Sequence, residues 1–138
     1  MIWVVDTCVL IDILKADPLF SALSSAALQS KLDDVLVVAP TTYIELGPAF
    51  NGDVRAQNKF LDALWIQYDF DMNEAVVRIA HKSWYEHVCR RHKGLDMKRP
   101  IADVLIGAYA LQRGGLITRN ESDFRALYPT LQIFNPSV

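Results

Sequence analysis

The feature that most constrains the fold is the alternation of short apolar runs, rich in β-branched residues, with longer amphipathic segments. The clearest runs fall at residues 2–5, 35–39 and 116–118, with shorter candidates at 68–70 and 131–134. Runs of this length bounded by Asp, Asn, Gly or Pro are typical of buried strands. Strands that alternate with helices pair in parallel through right-handed crossovers. The pattern therefore predicts an α/β fold in which a mainly parallel central sheet is flanked by helices.

Helix signals occupy the segments between these runs. Asp17, Asp53 and Asp71 are candidate N-caps, and the helices they open extend to about residues 29, 67 and 94. Trp65 belongs to the predicted apolar face of the helix that Asp53 opens. Two short helices are predicted at 9–15 and 41–50, and another at 122–127. Pro100 opens the most apolar helix, predicted over 101–112.

Length and composition bound the class of protein. With 138 residues, of which 51% are hydrophobic and 22% charged, the chain fits one folded domain over residues 1–138. Charged residues and Pro interrupt every apolar run before the roughly 20 residues of a membrane span, and Asp6 breaks the run where a signal peptide would need its apolar core. We expect a soluble, cytoplasmic protein in which Cys8 and Cys89 are at least partly buried and form no disulfide. The three histidines and Cys89 lie within residues 81–92 without the spacing of zinc ligands.

Four acidic residues are candidate ligands because of where they fall in this pattern. Asp6 ends the first predicted strand, Glu45 follows the second, and Asp123 follows the strand at 116–118. Parallel sheets bind ligands beyond the carboxyl ends of their strands, so these three are predicted to face one pocket. Asp103 interrupts an otherwise apolar helix, and a buried Asp is rare unless it is paired or metal-bound. The small residues Gly107 and Ala110, four and seven positions later, are predicted to leave room beside that carboxylate for an ion or a backbone.

Each of these acids except Asp103 also has an ordinary structural explanation. Asp6 and Asp123 could cap the helices that follow them, and Glu45 has capping-box spacing to Thr42. Carboxylates gathered in one pocket, however, repel one another unless cations hold them ionised. Oxygen-only ligation suits Mg²⁺ or Mn²⁺, and such ions activate water for hydrolysis of a phosphodiester bond. The four acids together therefore predict a metal-dependent phosphodiesterase.

Four segments of the chain resemble PIN domains, and specifically the VapC-type toxin ribonucleases of type II toxin-antitoxin pairs. They are VVDTCVLID at 4–12, TYIEL at 42–46, PIADVLIGAYA at 100–110 and TRNESDF at 118–124. The resemblance implies an endoribonuclease dependent on Mg²⁺ or Mn²⁺, with tRNA or ribosomal RNA as candidate substrates, a VapB-type antitoxin as partner, and a homodimer. It also implies a metal-binding and catalytic set of Asp6, Glu45, Asp103 and Asp123, with Thr7, Thr118 and Asn120 lining the pocket. Cys8 departs from the Ser or Asn frequent in the family, and residues 51–98 match only in helical character.

The charge of the chain bears on an RNA substrate. A formal net charge of −2 by itself argues against a polyanionic partner. Metal bound at the four candidate acids would leave 12 of the 16 acidic residues against 14 basic ones. Basic residues also cluster before residue 100, and the candidate RNA-binding side chains are Arg90, Arg91, Lys93, Lys98 and Arg99. A solvated helix end, where cations favour the helix dipole, is the alternative explanation.

Other classes of protein fit the sequence less well. A phosphatase of the haloacid dehalogenase type needs a second Asp two residues after the first, and Cys8 occupies that position. A receiver domain needs an acidic pair near the first strand and a phosphoacceptor Asp after the third, and neither arrangement is present. A module of the same fold that binds RNA or protein without cutting it stays open as the alternative, and sensitivity to EDTA separates it from a nuclease.

Overall fold

The computed structural model describes residues 1–91 and 100–138, and of Arg91 it describes only the backbone. Within these residues the strands are β1 (Ile2–Val5), β2 (Val35–Val38), β3 (Ile66–Tyr68), β4 (Gly115–Ile117) and β5 (Gln132–Phe134). All pairings are parallel, in the order β3-β2-β1-β4-β5. The predicted α/β class with a parallel sheet is confirmed, and β1 lies at its centre.

Helices cover both faces of the sheet. They are α1 (Thr7–Leu14), α2 (Ser21–Ser30), α3 (Pro40–Glu45), α4 (Val54–Ala63), α5 (Glu74–Arg91), α6 (Pro100–Arg113) and α7 (Glu121–Leu127), with a 3-10 helix at Gly47–Phe50. The two-residue period of β1 divides the core, since Val4 packs with residues of α5, α6 and α7, whereas Trp3 and Val5 pack with residues of α1, α2 and α4. Among the residues described, no helix has the length and apolar character that a membrane span requires.

The end of α4 differs from the prediction. The helix stops at Ala63 instead of continuing to about residue 67, because Trp65 adopts a left-handed backbone with φ of 60°. The chain then enters β3 two residues earlier than predicted, and Ile66 becomes its buried residue. Trp65, predicted to face the core, is instead 78% exposed. A non-glycine residue in this conformation is uncommon, and helical periodicity carries no sign of it.

The helix starts depend on which side chain reaches the first free N–H groups. Asp53 caps α4 as predicted, accepting from the Ala56 N–H at 3.1 Å. Asp17 instead accepts from two N–H groups of the turn at 18–20, so α2 begins at Ser21, later than predicted. Asn73, not Asp71, accepts from the Val76 N–H at the start of α5. The predicted end of that helix at Gly94 lies outside the described residues.

Candidate active site

Asp6 lies at the carboxyl end of the central strand and is 1% exposed. Its Oδ1 accepts from the Thr7 N–H at 2.8 Å, so it does cap α1. Its Oδ2 accepts from Thr118 Oγ1 at 2.8 Å and from Cys8 Sγ at 3.3 Å. Because Val5 pairs with Ile117, the residues that follow them, Asp6 and Thr118, lie side by side. The capping and site explanations of Asp6 are therefore compatible.

Glu45 reaches the same region from the last turn of α3. Its Oε1 lies 2.6 Å from Thr7 Oγ1, which is also 3.0 Å from Thr42 Oγ1. A carboxylate only accepts, so the Thr7 hydroxyl donates its one hydrogen bond to Glu45. The predicted capping box is wrong, because α3 begins at Pro40 and Thr42 lies inside the helix. Glu45 is half-buried and hydrogen-bonded to Thr7, the residue next to Asp6.

Asp103 lies in the first turn of α6 and is 1% exposed, as predicted from its apolar surroundings. Its Oδ2 accepts from Asn120 Nδ2 at 3.4 Å. The backbone N–H of Asn120 donates to Thr118 Oγ1 at 2.9 Å, and Thr118 in turn donates to Asp6. Thr118 and Asn120, predicted to line the pocket, therefore connect Asp6 to Asp103 through hydrogen bonds.

The space beside Asp103 is used differently from the prediction. A Cβ at Gly107 would lie 2.3 Å from Cε2 of Tyr128, whose ring fills the room left by the glycine. The Tyr128 hydroxyl donates to the Val104 carbonyl at 2.6 Å, and burial raises the pKa of Tyr128 to about 12. Gly107 therefore serves the packing of the end of α7 on α6.

The remaining predicted residues are less closely tied to this region. Asp123 is half-buried in the first turn of α7, and within residues 1–91 and 100–138 no hydrogen bond or ion pair reaches its carboxylate. Arg90 is half-buried near the end of α5. The Arg91 side chain, Lys93, Lys98 and Arg99 lie outside the described residues.

The donor chemistry decides how well the described residues fit a metal ion. Over the described ranges, no three His, Cys, Asp or Glu side chains are grouped so that they could hold one. The predicted convergence of the four acids on one metal-binding pocket therefore stays a prediction. Mg²⁺ commonly takes one or two carboxylates and completes its shell with water and substrate phosphate. Asp6 and Asp103, two buried carboxylates joined through hydroxyl and amide groups, fit that smaller requirement.

Cys8 packs against Asp6 and is half-buried. Burial, followed by the nearby charge of Asp6, raises the pKa of the Cys8 thiol to about 12. At neutral pH the sulfur therefore keeps its proton and donates to Asp6. Cys89, predicted to be at least partly buried, is exposed.

Sequence reasoning missed an ion pair beside this region. Asp12, on α1, is 4% exposed and accepts two hydrogen bonds from the guanidinium of Arg119, at 2.6 and 2.9 Å. These bonds raise the pKa of Arg119. The signal was available, since Asp12 interrupts an apolar helical segment just as Asp103 does.

Known proteins share this architecture. The PIN domain family model matches residues 3–128. One similar solved structure is VapBC-1 from nontypeable Haemophilus influenzae, with 24% identity, a TM-score of 0.72 and 100% of both chains covered. VapBC2 from Rickettsia felis, bound to a DNA fragment from their promoter, has 16% identity, a TM-score of 0.72 and 98% of both chains covered. A toxin-antitoxin complex from Klebsiella pneumoniae has 19% identity, a TM-score of 0.62 and 96% of both chains covered. No curated protein matches the sequence significantly.

Proposed function

This chain belongs to the PIN domain family, and we propose that it is a metal-dependent endoribonuclease acting as the toxin of a VapBC-type toxin-antitoxin pair. The observation that carries the proposal is the line of hydrogen bonds from Glu45 through Thr7, Asp6, Thr118 and Asn120 to Asp103. It joins three carboxylates at the carboxyl edge of a parallel sheet, where such folds bind their ligands.

Asp6 and Asp103 are the residues that would hold Mg²⁺ or Mn²⁺. When bound, such an ion lowers the pKa of a water molecule and polarises the phosphoryl oxygen. Three donors, from Thr7, Cys8 and Thr118, fix the Asp6 carboxylate in one orientation. Asn120 does the same for one oxygen of Asp103. Hydrogen bonds from neighbouring residues therefore orient both carboxylates, as precise positioning of catalytic groups requires.

Glu45 and Asp123 complete the proposed catalytic set. Glu45 is half-buried and accepts a hydrogen bond from the Thr7 hydroxyl. This bond orients the Glu45 carboxylate, which we propose as the general base that acts on the attacking water. Asp123 lies in the first turn of α7, three positions after Asn120, and is proposed as a further metal ligand. Family membership supports both assignments, and Asp123 depends on it more heavily than the other three acids do.

The substrate and partners follow from the same reasoning. We propose RNA, with tRNA and ribosomal RNA as the candidates, bound by the basic side chains at 90–99. A VapB-type antitoxin is proposed because structures named VapBC, and one described as a toxin-antitoxin complex, share the fold over nearly the whole chain. The homodimer is proposed from the resemblance to VapC-type toxins alone.

The deciding experiment incubates the purified protein with tRNA and ribosomal RNA in Mg²⁺, Mn²⁺ or EDTA and maps the cuts. We expect cleavage with either ion and none with EDTA. Asp103→Asn should abolish cleavage without shifting the unfolding midpoint, because the substitution keeps the shape of the side chain. Asp33→Asn, which removes the same charge from an exposed position, is the matched control and should cleave normally.

Three results would count against parts of the proposal. Full activity of Asp103→Asn would remove Asp103 from the site. RNA binding that persists in EDTA without any cleavage in Mg²⁺ would favour the non-cleaving module. Products ending in 2′,3′-cyclic phosphate would show that the neighbouring ribose hydroxyl, and not a metal-activated water, is the nucleophile.

A further inference from the structure

The turn between β4 and α7 carries both residues that connect Asp6 to Asp103. Thr118 donates to Asp6 and Asn120 donates to Asp103, with Arg119 between them. The Arg119 side chain forms an ion pair with Asp12 on α1. The backbone that carries both donors is therefore anchored to α1 by the residue at its centre.

The surroundings of the Asp12–Arg119 pair make it an unusually constrained anchor. Arg119 uses Nε and Nη2 on separate oxygens of Asp12, at 2.6 and 2.9 Å, which is the fork geometry of the strongest ion pairs. Ser24 of α2 donates to Asp12 Oδ2 at 3.0 Å. The Arg119 guanidinium also lies 3.9 Å from the centre of the Phe20 ring. Side-chain exposures of 5% for Asp12 and 26% for Arg119 limit the screening of the pair by solvent.

We propose that Asp12 and Arg119 are positioning residues, whose ion pair fixes the β4–α7 turn so that Thr118 and Asn120 hold Asp6 and Asp103 in register. The catalytic consequence rests on the proposed nuclease function, whereas the structural consequence does not. Loss of the ion pair with Asp12 would allow the backbone of Arg119 to move. The donors of Thr118 and Asn120, on either side of it, would move with it. A displacement of about 1 Å in a catalytic group can lower turnover by roughly 100-fold.

The first test measures the turn directly, without RNA. The backbone N–H of Asn120 donates to Thr118 Oγ1, so its hydrogen exchange, followed by NMR, reports on whether the turn is formed. Arg119→Met should accelerate that exchange by at least about tenfold, as expected for a local opening. Arg119→Lys keeps the charge but not the fork and should give an intermediate rate. The Val35 N–H, bonded to the Met1 carbonyl at 3.0 Å, should exchange as in the parent protein.

Arg113 offers a matched control. It forms an ion pair of 2.6 Å with Asp69, is 25% exposed, and lies 4.4 Å from the centre of the Tyr109 ring. Arg113→Met removes a comparable interaction from a different place. It should leave Asn120 exchange unchanged.

The second test measures cleavage at saturating metal. Arg119→Met should lower kcat by roughly 10- to 100-fold with KM changed by less than about threefold, because positioning affects the reacting groups and not the bulk of RNA binding. Arg113→Met should stay within about twofold of the parent kcat. If the parent protein cleaves no RNA, the proposed function fails while the exchange test still decides the positioning role.

Several results would overturn the inference. Parent-like Asn120 exchange in Arg119→Met would show that the pair does not fix the turn. Equal acceleration at Asn120 and Val35 in both Arg119 variants would reveal a purely global stabiliser. A raised KM with unchanged kcat would show that Arg119 binds RNA itself.

Discussion

Replacing Thr118 with Val tests the central link of the candidate site. Valine keeps the shape of the side chain but removes the hydroxyl that donates to Asp6 at 2.8 Å and accepts from the Asn120 N–H at 2.9 Å. A hydrogen bond to a charged group contributes about 1.5–3 kcal/mol and a neutral one about 0.5–1.5 kcal/mol. Since Thr118 is 0% exposed, water cannot replace the donor to Asp6. We therefore expect Thr118→Val to lower the free energy of unfolding by about 2–4.5 kcal/mol.

Urea unfolding at pH 7 measures this loss. Thr118→Ser keeps the hydroxyl and should lose only about 1 kcal/mol, for the buried methyl group. Thr130→Val makes the same change at an exposed position and should stay within about 0.5 kcal/mol of the parent. The reasoning is refuted if Thr118→Val loses less than about 1 kcal/mol, or if the serine variant loses as much as the valine variant.

Three further changes test other contacts. Gly107→Ala should destabilise the fold by about 1–3 kcal/mol by overpacking, because the new methyl group meets the Tyr128 ring. Gly47→Ala, whose new methyl group meets nothing within 4 Å, should not destabilise it. Equal urea midpoints for the two variants would contradict this expectation. Asp69→Asn should cost stability at neutral pH, since the Asp71 N–H, then Tyr109 and Arg113, hold the pKa of Asp69 below its usual value. A carboxyl group with a lowered pKa stabilises the fold at pH values above its unfolded pKa of about 3.9. The difference in unfolding free energy between Asp69→Asn and the parent should therefore persist at pH 7 and shrink as the pH falls below about 4. A difference that does not change with pH would count against this reasoning. Glu45→Gln should slow turnover in the RNA assay, whereas a purely structural role of its hydrogen bond with Thr7 would leave the rate unchanged.

The sequence predicted most of the architecture because secondary structure leaves local marks. Short β-branched runs bounded by Asp, Gly or Pro predicted the sheet, and the end of the first run placed Asp6 at a strand end. The burial of Asp103 followed from its apolar neighbours alone, without knowledge of any contact. Each of these inferences used residues within one or two turns of one another.

The errors in the helices have an equally local cause. Periodicity placed Trp65 on the apolar face of α4, but the left-handed backbone at that residue ends the helix and turns the ring to solvent. Asp17 was predicted to cap a helix, but its side chain accepts hydrogen bonds from N–H groups of the turn that precedes that helix. Such choices depend on single backbone angles that no repeating pattern encodes.

By itself, then, the sequence determined the class of fold, the position of Asp6 and the burial of Asp103, because apolar periodicity specifies which element forms and which side of it is buried. Only the tertiary structure decided what each side chain contacts. The contacting residues lie up to 107 positions apart in the sequence, as in the pairs Thr7 with Glu45, Gly107 with Tyr128, and Asp12 with Arg119. Their meeting depends on strand order and helix packing, which place distant residues together at distances that no local spacing records.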